Sequence, residues 1–76
     1  MTSGQLGIAV RDARRRQGLR QDQLAAAANV GARFIVDLEA GKPTIRLAKA
    51  LAVIDALGLA LTLGERADRR PTNPNR

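Results

Sequence analysis

The sequence predicts an all-α protein, a bundle of four to five short helices that ends in a short C-terminal strand paired across a homodimer. Three observations carry this reading. Apolar residues recur three and four apart over most of the chain. The apolar content of 45% is mostly Ala and Leu, with Phe34 the single aromatic, which suits close-packed helices better than a β-sandwich. Finally, Leu59, Leu61 and Leu63 alternate with Ala60 and Thr62, the period of a half-buried strand.

The first helix is expected over residues 3–17, with Leu6, Ala9, Val10 and Ala13 as its apolar positions. Thr2 and Gln5 have capping-box spacing, with Ser3 as an alternative cap. Gly18 ends the helix in the left-handed conformation. Arg14, Arg15 and Arg16 fall in its last turn, where cations suit the macrodipole, either as a solvated end or as phosphate contacts. A second helix covers RQDQLAAAA, residues 20–28, with Leu24 and Ala28 on one face and Leu19 leading in. Asn29-Val30-Gly31 makes a tight turn, and a third helix runs from Ala32 to Ala40 and stops at Gly41. Two short helices joined this way, the second exposed, form the helix-turn-helix pattern. After the loop Gly41-Lys42-Pro43, Thr44 is placed to cap a fourth helix reaching Leu57. Its expected buried stripe is Leu47, Leu51, Ile54 and Leu57, and Gly58 ends it.

A lone strand at Leu59–Leu63 would leave backbone groups unpaired. A second copy across a two-fold axis satisfies them, so Leu59, Ala60, Leu61, Thr62 and Leu63 are the expected dimer interface. The alternative is a non-regular apolar tail packed on its own helices. Residues 64–76, GERADRRPTNPNR, read as a disordered polar tail behind a folded domain of residues 1–63.

Composition narrows function. The 76 residues include no His and no Cys, and Ser3 is the single serine, so neither a metal site nor a nucleophile–base pair can be assembled. An enzyme, a metal, a cofactor and a small-molecule substrate are therefore not expected. The apolar runs are too short to span a bilayer and no signal peptide opens the chain, so the expected location is cytoplasmic. The net charge is +6 and the sequence pI near 11.6, above the value of about 9 that marks a nucleic-acid footprint.

The run GLRQDQLAAAANVGARFIVDLEAGKPT resembles the XRE (Cro/C1-type) helix-turn-helix family, and the likeness extends over residues 5–63. It is carried by Gly18-Leu19, Gln21, Leu24-Ala25, Val30, Ile35, Leu38-Glu39 and Gly41-Lys42. It implies a lambda-repressor-like bundle that binds double-stranded DNA as a dimer on a palindromic operator. RFIVDLEAGKPT and the terminal ALGLALTL are further similar to HipB-type antitoxins, which implies a repressor that also binds a HipA-type kinase toxin. One departure is Arg20, where the family has a Thr or Ser cap at the start of helix two.

With helix three in the major groove, Ile35 and Leu38 share the buried side with Val30. The opposite side holds Ala32, Arg33, Val36 and Asp37 as candidate base contacts. Arg33 has the fork that matches guanine, and Ala32 and Val36 suit thymine methyl groups. Asp37 can accept from cytosine, pair with Arg33 four residues earlier, or remain solvated. Phe34 either fills the gap between helices three and four or flanks the DNA backbone. The resemblance places a structural ion pair on Arg14 and Glu39, and a phosphate contact on Gln21. Arg20, Lys42 and Arg46 are further phosphate candidates. Competing readings are a repressor without a toxin, an interaction module acting without DNA, and, more remotely, a cationic membrane-surface peptide.

Overall fold

The helices of this protein all stop in the same way, and that sets the architecture. The computed structural model describes residues 1–63, which form α1 (Ser3–Arg16), α2 (Gln21–Ala28), α3 (Ala32–Glu39) and α4 (Leu47–Ala56). At each C-terminus one residue turns left-handed: Gly18, Asn29, Gly41 and Gly58. The next amide then reaches back to a carbonyl of the last turn, as in Leu19 to Arg14, Val30 to Ala25, Lys42 to Asp37 and Leu59 to Ile54, all within 2.9–3.1 Å. This is the Schellman arrangement, and it satisfies carbonyls that a helix end otherwise orphans. Asn29, at φ 58°, is the one position of the four where a side chain accompanies that conformation.

The N-terminus of α1 is closed by the expected capping box. Gln5 N–H donates to Thr2 Oγ1 at 3.1 Å and Thr2 N–H donates to Gln5 Oε1 at 2.8 Å, so Thr2 and not Ser3 is the cap. At α2 only half of a box survives. Gln23 Oε1 accepts from the Arg20 amide at 2.8 Å, while Arg20 has no oxygen to return the bond.

Leu24, Ile35, Leu38, Val10 and Val53 are the largest fully buried side chains, joined by Ala13, Ala25, Ala50 and Leu57. They sit where α2 meets α3 and α4 and where α1 crosses α3. The α1–α3 crossing is close because Gly7 faces it. A Cβ on Gly7 would lie 2.5 Å from the Leu38 carbonyl oxygen and 2.8 Å from that of Glu39. Gln17 ties the far end of α1 to α4, its Nε2 donating to the Leu57 carbonyl at 2.8 Å.

Three expectations are corrected. On α1 Gly7 joins Val10 and Ala13 on the buried side while Ala9 is exposed, because the crossing uses the missing side chain. Thr44 does not cap α4. Ile45 packs against the core first, and the helix begins after Arg46. The buried stripe of α4 is Ala50, Val53, Ile54 and Leu57, while Leu47 and Leu51 are 67% and 41% exposed. Ala50 is fully buried in the core in their place. Leu59–Leu63 forms no strand in the single chain, and no strand occurs among the described residues. Four helices occur among the described residues, and the tail expected at 64–76 lies outside them.

Candidate nucleic-acid interface

The unit that could meet DNA is built around one buried ion pair. Arg14 Nε donates to Glu39 Oε2 at 2.6 Å and a terminal nitrogen donates to Oε1 at 3.0 Å, a bidentate pair joining α1 to the end of α3. The other terminal nitrogen donates to the Leu19 carbonyl at 2.8 Å, and Gln21 Nε2 donates to Glu39 Oε1 at 3.1 Å. The two charged side chains are only 11% and 4% exposed. Arg14 therefore fixes α1, the turn before α2 and α3 together. The hydrogen bond to Glu39 raises the Arg14 pKa above its ordinary value, burial opposes this, and the Glu39 charge adds to the rise. A raised folded pKa means that what the Arg14 guanidinium contributes is present at all lower pH and is lost only in alkali beyond any working range.

That anchor orients α3. Its inner side carries Ile35 and Leu38, and Ala32, Arg33 and Val36 are exposed, so three of the four candidate base contacts share an open face. Asp37 is half-buried at its edge. Its Oδ1 lies 3.2 Å from Arg33 Nε and its Oδ2 3.6 Å from Lys42 Nζ. Of the readings open for Asp37, the free side chain realises the pair with Arg33. Phe34 packs on the core, with Lys49 of α4 above its ring at 5.9 Å from the centroid, so of its two readings the gap between helices three and four is the one realised.

The candidate phosphate contacts divide. Arg20, Lys42 and Arg46 are exposed, Arg20 at the mouth of α2 and the other two between α3 and α4. Gln21 is half-buried, and its amide nitrogen is engaged with Glu39, so it acts first as part of the anchor. Arg20 also meets Asp22 at 3.1 Å. That hydrogen bond lowers the Asp22 pKa, so what this surface pair contributes is present at neutral pH and fades as the pH falls through the lowered value.

Arg11 had no place among the expected contacts, and Arg15 was open there as either a solvated helix end or a phosphate contact. The structure sets them on the wall of a cleft beside the start of α2. Their four-residue spacing was the available signal, but it acquires meaning only once α2 and α3 are placed against α1. Among the described residues no cluster of acidic side chains is arranged to hold a metal, and no helix is long and apolar enough to cross a membrane.

Two short helices joined by a three-residue turn, the second buried on one side and open on the other, define a DNA-binding domain of the helix-turn-helix class. A helix-turn-helix family model matches residues 10–63, and the chain belongs to this family, in its XRE type, as a transcriptional regulator. It is similar to the uncharacterized HTH-type transcriptional regulator y4mF of Sinorhizobium fredii, with 49% identity over 69 residues and 91% of each chain covered. Its fold is similar to a chain of the HipA-HipB-O2-O3 complex, at a TM-score of 0.79 and 23% identity, covering 86% of this chain and 92% of that one. A structure named MDT Protein has a similar fold, at a TM-score of 0.77 and 24% identity, with the same two coverages.

Proposed function

We propose that the chain is a cytoplasmic repressor that binds a palindromic operator as a homodimer, autoregulates its own operon and serves as the antitoxin to a HipA-type kinase toxin. The observation that carries the DNA reading is the open face of α3, with Ala32, Arg33 and Val36 outward while Arg14, Glu39 and Gln21 hold the helix from behind. Arg33 reads guanine and the two apolar side chains meet thymine methyl groups, with Arg20, Lys42 and Arg46 contacting the backbone on either side. Six neutralised phosphates would give a slope of log K against log salt near about −5.

Two features support the dimer and the partner. Ala60–Leu63 make no backbone–backbone hydrogen bond with other described residues, and Leu61 and Leu63 are 44% and 90% exposed. A second copy of Leu59–Leu63 would pair the backbone and cover the leucines. The fold likeness to a chain of the HipA-HipB-O2-O3 complex supports the toxin assignment. The y4mF relative, an uncharacterized HTH-type transcriptional regulator, is equally compatible with the second reading, a repressor acting without a toxin.

The test is a gel shift on the DNA upstream of the chain's own reading frame. Arg33→Ala is expected to weaken binding by about 1–3 kcal/mol for each guanine it reads, or about fivefold to somewhat over a hundredfold. Unchanged affinity would remove α3 from the interface. Co-purification with the product of a neighbouring kinase-like gene separates the antitoxin from the lone repressor.

A further inference from the structure

A cleft of about 470 Å3 opens between α1, the start of α2 and α3. Its lining carries four guanidinium groups, those of Arg11, Arg14, Arg15 and Arg20, against the single carboxylate of Glu39, which leaves a net charge of +3. Glu39 is already bound to Arg14. Arg20 is held by Asp22 in an exposed pair that an incoming anion displaces readily. Arg11 and Arg15 lie one turn apart on α1, and neither forms a salt bridge with another described residue. Arg11 Nε is moreover buried without a hydrogen-bond partner. A buried donor lacking an acceptor is unfavourable, and a bound anion would remove that cost.

We infer that this cleft is a phosphate site, with Arg11 and Arg15 as its principal donors and Arg20 at its mouth. Guanidinium forks match phosphate oxygens in geometry and in sign of charge. The inference rests on the reading of α3 as the groove helix, because Val36 belongs both to the open face of α3 and to the wall of this cleft. A duplex lying against Val36 therefore brings a backbone phosphate to the opening. Inorganic phosphate shares the chemistry and is the second source to be distinguished.

The experiment has two arms. In the first, binding to a mixed-sequence duplex is measured across a salt series for the unsubstituted chain, R11Q, R15Q and R16Q. Arg16 is exposed and lies outside the cleft, so R16Q controls for charge alone. Each lost contact removes about 0.9 from the salt slope, so R11Q and R15Q should each flatten it by about 1.8 in a dimer while R16Q leaves it unchanged. Slopes for R11Q and R15Q equal to that of the unsubstituted chain, or an equal change in R16Q, overturn the inference. In the second arm, inorganic phosphate is titrated against a chloride control while the Nε–H resonances of the arginines are followed. If the unsubstituted chain ignores the duplex at low salt, the groove reading fails, and the cleft is then judged on this arm alone. Shifts confined to Arg11, Arg15 and Arg20 support a site for free phosphate, and none overturns it.

Discussion

The unit from Arg14 to Lys42 and the stretch from Leu47 to Leu63 solve the problem of burial in opposite ways. In the first, the two buried charges satisfy each other and each helix end is closed by its own backbone. In the second, apolar side chains point outward at Leu47, Leu51, Leu61 and Leu63. The helix-turn-helix unit is thus complete within one chain. The C-terminal stretch leaves apolar surface that a single copy does not cover. A domain this small buries only about 60% of its unfolded surface, so uncovered leucines are a real loss of stabilisation.

The largest effect should come from breaking the complete half. Glu39→Ala would leave the Arg14 guanidinium buried and unpaired and would free the Gln21 amide, for an expected loss of about 3–5 kcal/mol. Urea unfolding followed by circular dichroism measures it. Replacing both partners by apolar residues of similar volume, Arg14→Met with Glu39→Leu, should recover most of that loss, since no unpaired charge remains. A cost below about 1 kcal/mol for the single change would mean that the pair is not the anchor.

The next effect concerns the open half. Leu61→Asp and Leu63→Asp are expected to shift the chain toward monomer in sedimentation velocity, weakening the dimer about tenfold or more per covered leucine, since each buries about 1.5–3 kcal/mol of apolar surface. Their thermal midpoints should lose the dependence on protein concentration that a dimer shows. A chain that sediments as a monomer before substitution would erase the contrast between the two halves.

What was legible in the sequence follows the same division. The ends of α1, α3 and α4 could be placed from Gly18, Gly41 and Gly58 because a left-handed stop is a property of one residue. The capping box at Thr2 was legible for the same local reason. Leu47 and Leu51 misled because apolar spacing shows which positions share a side but not which side meets α2, and Ala50 gives no hydrophobic signal strong enough to decide. Gly7 misled because its role is the absence of a side chain. The Arg14–Glu39 pair, 25 positions apart, was beyond any periodicity and came from family likeness alone. The cleft at Arg11 and Arg15 needs three helices in place before it exists.

The smallest expected effect is the most discriminating for the reading face. Asp37 shares its two oxygens between Arg33 and Lys42, and Arg33 is 86% exposed, so the pair contributes only about 0.3–0.5 kcal/mol to folding. Asp37→Asn should therefore leave the unfolding midpoint nearly unchanged. Its consequence lies in recognition. If the carboxylate positions Arg33, its loss frees the guanidinium and adds a positive charge beside DNA, so affinity for unrelated duplex should rise as the preference for the operator narrows. If the carboxylate instead accepts from a cytosine amino group in the complex, operator binding itself should fall by about 1–3 kcal/mol with little change on unrelated DNA. The ratio of operator to unrelated affinity falls either way, and the term that moves identifies which role Asp37 has.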